Sequence, residues 1–234
     1  MNKIYITIFI LALLLQLSES VSDSLTRKSY SKLIGMVRKE VVDKSLAYLP
    51  KRDEIDILQM LIQLKNAKEK FSLNDAESAY FVYTWLIQNI KFYDGEEDMT
   101  KIYKSGKGNS AGLSSLFNRM CSYLGLKSDS ISGFVKYLRG EMEYVWNYVV
   151  IDGEYYLLDV ALGCELKEFP GQIFDKDTFF GTEPEAFIWL HYPKEKNGNC
   201  YQSHILLKNS NLYLFYTHFF LCSILNLFLQ ILTI

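Results

Sequence analysis

The stretch Gly106–Gly125 reads GKGNSAGLSSLFNRMCSYLG, and its apolar residues Leu113, Leu116, Phe117, Met120, Cys121 and Leu124 recur at helical spacing. A stripe that continuous predicts a central helix with one face buried from end to end. Glycines at 106, 108 and 112 permit close backbone approach at its start, and Gly125 suits the left-handed residue that closes a helix. Ser110 falls at or near the first turn, where unpaired N–H groups and the positive end of the helix dipole stabilise developing negative charge. Taken alone, such a serine reads first as a helix N-cap.

Towards the N-terminus, Ser29–Tyr48 and Asp53–Phe71 read as two helices, with Asp53 as the N-cap of the second. A third helix is expected over Asp75–Ile90, opened by Asn74-Asp75-Ala76-Glu77 at capping-box spacing. Beyond the central helix the period shortens. Ser130–Leu138 is a candidate strand, Arg139-Gly140-Glu141 a turn and Tyr144–Ile151 a second strand. Asp152-Gly153 is a strong hairpin signal, after which Glu154–Val160 returns as a third strand. A two-residue turn there sets Trp146 opposite Asp159 and makes Tyr144 the diagonal neighbour of Asp159 on the same face.

The two ends read differently from the middle. Residues 1–20, with Lys3 and an apolar run from Ile4 to Leu17, have the form of a secretory signal peptide. Leu212–Ile234 is a stretch without a charge, long enough to span a bilayer or to serve as a lipid-anchor signal. The expected organisation is therefore a leader (1–20), an N-terminal helical region (21–73), a domain over 74–205 and a hydrophobic tail (212–234), in the secretory pathway.

Of the 234 residues, 49% are hydrophobic, which favours a packed core, and a formal net charge of −2 with no basic block argues against nucleic acid as a partner. Cysteine spacing fits no zinc pattern, no phosphate-cradling loop is present, and no metal or cofactor is expected. Cys121 sits on the buried helix face. Cys164 and Cys200 fall in later loops and form one candidate disulfide.

Four motifs in order resemble the transglutaminase-like superfamily, in the branch of the kyphoscoliosis peptidase. GNSAGLSSLFNRMCSYLGL is similar to the family's nucleophile helix, in which a cysteine stands where this chain has Ser110. The run ending Trp85, Asn89, Ile90 and Phe92 resembles the preceding helix. YVWNYVVIDGEYYLLDVALG is similar to the strand pair that carries the family's general base and aspartate: Trp146, Asn147, Gly153, Tyr156 and Asp159 match, while Tyr144 stands at the histidine position. DTFFGTEPEAFIWLHYP supplies Thr182, Pro184, Phe187, Ile188, His191 and Pro193 of a later signature.

The resemblance implies an α+β, papain-like fold with the nucleophile-position helix packed on an antiparallel sheet and preceded by helices. It also implies that Ser110, Tyr144 and Asp159 hold the triad positions on which the family's active members carry out acyl-transfer or peptidase chemistry, with Trp146, Asn147, Trp85 and His191 supporting the cleft. A cysteine thiolate is populated near neutral pH and is intrinsically nucleophilic, whereas a serine hydroxyl needs a base close by. A tyrosine, with a reference pKa near 10, accepts a proton poorly at neutral pH. Ser110, Tyr144 and Asp159 are accordingly expected to be a former catalytic constellation, still hydrogen-bonded, in a pseudoenzyme that binds a protein or peptide. The alternative expectation is a slow serine-dependent peptidase or acyltransferase. Of the three histidines, His204 and His218 lie in or beside the tail, and His191 reads as a satisfied structural histidine.

Overall fold

Helix α3 (Asp75–Asn89) is buried almost all the way round: every residue from Ala76 to Ile87 lies in the core. A helix without a polar face has to be enclosed on all sides, and α3 takes that place in a computed structural model that describes residues 33–137, 140–166, 176–182, 187 and 190–194. The expected leader, tail and Cys200 lie outside the described residues, as do His204 and His218. No helix among the described residues is long and apolar enough to cross a membrane.

The capping box at the start of α3 forms as its spacing predicts. Asn74 Oδ1 accepts from the Glu77 N–H at 2.8 Å, and Glu77 Oε2 accepts from the Asn74 N–H at 3.0 Å. Before it lie α1 (Lys39–Tyr48) and α2 (Ile57–Lys70). The first differs from the expected Ser29–Tyr48, because the chain turns at Gly35 and Met36 and extends at Val37 and Arg38 before α1 begins. The second starts later than Asp53. Its N-cap is Asp56, whose side chain accepts from the Gln59 N–H, while Asp53 belongs to a short 3-10 turn, Arg52–Glu54. Arg38 clamps this part to α3, its Nη2 donating to Glu77 Oε2 at 2.8 Å.

A short parallel pair, β1 (Lys91–Phe92) with β2 (Lys107–Gly108), brackets α4 (Met99–Ser105) and delivers the chain into α5 (Ser110–Tyr123). Gly112, in the first turn of α5, has to be glycine. A Cβ there would come within 2.1 Å of Ile102 Cδ1 and 2.8 Å of the Glu97 carbonyl oxygen. At the other end Gly125 adopts φ 80°, and the Leu126 N–H bonds the Cys121 carbonyl at 2.9 Å, the left-handed closure expected of that glycine. Cys121 is fully buried as expected, and burial pushes its thiol well above the ordinary range.

Helix α5 lies against a sheet of order β6-β5-β4-β3-β7, built from β3 (Lys127–Tyr137), β4 (Gly140–Ile151), β5 (Glu154–Leu158), β6 (Phe180–Thr182) and β7 (His191–Pro193), antiparallel throughout. The contact is made in part by side chains: Asn147 Nδ2 donates to the Ser114 carbonyl at 3.1 Å and to Asn118 Oδ1 at 3.0 Å. The β4–β5 hairpin has the expected two-residue turn. Asp152 and Gly153 sit at φ 52° and 81°, and Asn147 pairs with Leu158 and Ile151 with Glu154.

Two strand boundaries differ from the sequence expectation. β3 and β4 are longer, so that Gly140 and Glu141 are paired residues of β4 rather than part of a turn. The third strand stops at Leu158, because Asp159 caps a helix, α6 (Val160–Leu166), through the Leu162 N–H at 2.9 Å. Cys164 therefore lies in a helix and not a loop. It is buried, with Sγ 3.8 Å from the Leu86 carbonyl oxygen.

Candidate functional site

Where α5 begins, the fold leaves a cleft of about 330 Å³ lined by Phe92, Ser110, Gly133, Tyr144 and Val145, with Asp94, Glu97, Glu143 and Lys194 among its charged residues. Phe92 arrives through the β1–β2 pair, and Ser110 through the helix start that Gly112 makes possible. Gly133 allows β3, β4 and β7 to converge. A Cβ on it would lie 2.1 Å from the Tyr192 carbonyl oxygen and 2.6 Å from Trp146 Cη2. Lys194 Nζ bonds Glu143 Oε1 at 2.9 Å beside the cleft.

Ser110 is the first residue of α5 and not its N-cap. The cap is Asn109, whose Oδ1 accepts from the Gly112 N–H at 3.0 Å. The hydroxyl of Ser110 serves a strand instead: its Oγ accepts from the Val145 N–H at 3.3 Å, and the residue is 8% exposed. The reason lies in the hairpin. Ladder bonds in an antiparallel pair fall on alternate residues, and those flanking a two-residue turn are bonded, so Ile151, Val149, Asn147 and Val145 direct their N–H groups towards β5. β5 ends opposite Asn147, so the Val145 N–H has outrun its strand partner, and Ser110 supplies the acceptor.

Tyr144 and Asp159 meet as the hairpin register requires, with the phenol donating to Asp159 Oδ1 at 3.3 Å. Both are buried, Asp159 completely. Its carboxylate is also engaged by the Leu162 N–H on Oδ1 and by His191 Nε2, 2.8 Å from Oδ2. His191 reaches it from β7, with Nδ1 bonded to the Phe187 carbonyl at 3.0 Å. So His191, with both ring nitrogens bonded, also joins the constellation directly, which its position in the sequence does not reveal. Its i−4 spacing to Phe187 was visible; its partner across the sheet was not.

Of the other residues expected to support the cleft, Trp146 is buried with its ring edge-to-face to His191 at 4.9 Å, and Asn147 ties β4 to α5. Trp85 lies elsewhere. It stacks on Tyr103 at 6.0 Å, and Tyr103 in turn donates to the carbonyls of Arg52 and Ile55. Burial pushes the Tyr103 phenol up to about 12, so it remains a donor there. The helix cap Asn109 and the acidic side chains Asp94 and Glu97 escaped the sequence reading. An asparagine just before an apolar helical run is the signal that marks the first. Among the described residues no group of three or more His, Cys, Asp or Glu side chains is placed to hold a metal.

As it stands, this geometry binds its own polar atoms firmly. The oxygen of Ser110 accepts one hydrogen bond from the backbone, and the phenol of Tyr144 is turned to a carboxylate in the core. Neither arrangement places a proton acceptor against the serine hydroxyl.

Parts of this chain are similar to known proteins. Residues 63–160, which hold α3, α5, the hairpin and Asp159, match the model of the transglutaminase-like superfamily. The chain is 28% identical over 144 residues to the kyphoscoliosis peptidase of Mus musculus, a match covering 53% of this chain and 22% of that protein. It is 26% identical over 162 residues to hillarin of Drosophila melanogaster, covering 57% and 20%. Among solved structures, a TGase is 13% identical with a TM-score of 0.37 over 49% of this chain and 32% of that one. The match spans about a fifth of the length of these curated relatives. The chain carries a transglutaminase-like domain and is related to the kyphoscoliosis peptidases.

Proposed function

We propose that this domain is a pseudoenzyme whose cleft binds a protein or peptide segment. The observation that carries the reading is the double engagement at the site: Ser110 Oγ accepts from the Val145 N–H, and the Tyr144 phenol donates to Asp159. The residue types support it. The resembled family has a cysteine and a histidine at these two positions, and a serine without a base loses most of its nucleophilic reactivity. What remains is a folded cleft lined by both apolar and charged residues, which suits recognition of an extended chain. On this reading the protein works in the secretory pathway, extracellular or held to a membrane through 212–234.

The test is an amine-incorporation and peptide-hydrolysis assay on the full chain, on Ser110→Ala and on the double variant Ser110→Cys with Tyr144→His. The natural protein is expected to be inert and the double variant to gain activity. Turnover by the natural protein that disappears in Ser110→Ala would overturn the reading. One observation favours a second reading, a slow serine-dependent peptidase or acyltransferase: Ser110 lines the cleft at the first residue of a helix, where the dipole stabilises an oxyanion. The same assay decides between the two.

A further inference from the structure

We infer that His191 is a doubly protonated imidazolium held in an aromatic cage, and that it serves as the charge partner of Asp159 and not as a base. The acceptors around the ring fix where its protons lie. Nδ1 lies 3.0 Å from the Phe187 carbonyl oxygen, which has no proton to give, so Nδ1 carries a hydrogen and donates. Nε2 lies 2.8 Å from Asp159 Oδ2. The other oxygen of that carboxyl group accepts from the Leu162 N–H and the Tyr144 phenol. A carboxyl group that receives donors on both oxygens is favoured in its ionised form. An ionised carboxylate only accepts, so Nε2 donates as well, and the ring carries two protons.

The surroundings of the ring support the same charge independently. Phe187 stacks on His191 with centroids 3.8 Å apart and planes inclined by 17°, and Trp146 presents itself at 4.9 Å. Tyr144 and Phe179 complete the enclosure at 6.3 Å and 6.4 Å. Phe187 and Trp146 lie within the roughly 6 Å at which an aromatic ring attracts a cation, most strongly where water is excluded, and Tyr144 and Phe179 lie just beyond it. His191 is 1% exposed and Asp159 fully buried, so the two charges compensate each other without help from solvent.

Two consequences follow for the site. With both ring nitrogens committed, His191 has no acceptor for a serine proton, so among the described residues no histidine supplies the missing base. It acts instead as a positioning residue: through Asp159 it fixes the phenol of Tyr144, which lines the cleft. This assignment builds on the pseudoenzyme reading, but the two can fail separately.

The measurement is long-range proton–nitrogen correlation of the imidazole rings in the full chain at neutral pH, with nitrogen-15 in the histidines. His204→Gln and His218→Gln leave His191 as the remaining signal, so the assignment does not depend on a variant of His191 itself. The expected result is the pattern of a ring protonated at both nitrogens, converted to the single-proton pattern by Asp159→Asn. A His191 ring with one unprotonated nitrogen in the natural protein, or a two-proton ring that survives Asp159→Asn, overturns the inference. Turnover that Ser110→Ala abolishes would sink the pseudoenzyme reading while leaving the charge pair standing.

Discussion

Helices α3 and α6 each hold a fully buried carboxylate in the capping bonds at their start, and the two keep different company. Glu77 closes the capping box of α3 and takes its positive partner from outside: the Arg38 side chain is 54% exposed. Asp159 caps α6 and takes its partner, His191, from within the core. In the first case only one ion leaves water. In the second both do, an arrangement tolerated only where every remaining lone pair and proton is satisfied. A helix start does not require that. An aspartate held between a buried histidine and a buried tyrosine marks the candidate site, whereas Glu77 belongs to the scaffold.

The sharpest way to break the comparison is to remove the two caps in turn. Asp159→Ala takes away the α6 cap, the acceptor of Tyr144 and the counter-charge of His191 together. Breaking a buried pair from one side costs about 3–5 kcal/mol, read as a lowered denaturant midpoint. A cost near that of an ordinary cap would mean that His191 contributes no charge.

That loss is also where reading from the sequence stops. The hairpin register, and with it the meeting of Tyr144 and Asp159, followed from Asp152-Gly153, because a two-residue turn fixes every pair behind it. The capping box of α3 and the left-handed end of α5 were legible for the same reason: they are local, and a few residues determine them. The end of β5 was not. Val160 continues a strand pattern, and only the tertiary placement of Asp159 as a cap turns the chain into α6. The contact between His191 and Asp159 joins positions 32 residues apart through the order β5-β4-β3-β7. Pairing across non-neighbouring strands leaves no trace in local periodicity, so His191 reads as a satisfied structural histidine that supports the cleft, without its partner being named. The bond from Val145 to Ser110 was hidden likewise, since it depends on where a strand stops.

The matching change at α3 is smaller. Asn74→Ala removes the acceptor of the Glu77 N–H and costs about 1 kcal/mol, because Glu77 keeps its guanidinium partner. Thermal unfolding of the two variants side by side measures the gap. If Asn74→Ala costs as much as Asp159→Ala, the distinction between scaffold and site carboxylate is lost.

Arg38→Ala leaves the buried Glu77 carboxylate without its guanidinium, and it sharpens the comparison through acid. The hydrogen bond from the Arg38 guanidinium is the largest cause holding the Glu77 carboxyl below the usual carboxylate range, against burial, which pushes it up. The folded value therefore lies below the unfolded one of about 4.3. The folded state binds this proton more weakly than the unfolded chain does. The resulting stabilisation is fully present above the unfolded value and is lost as pH falls through the folded one. Without the Arg38 side chain the largest cause of that lowering is gone, burial opposes the backbone N–H bonds that remain, and the dependence flattens. Denaturant midpoints taken between about pH 3 and pH 7 are expected to fall more gently on the acid side in Arg38→Ala than in the natural chain. Two acid limbs running parallel would show that the exposed guanidinium does not hold the buried carboxylate ionised, and Glu77 would then need a partner as internal as that of Asp159.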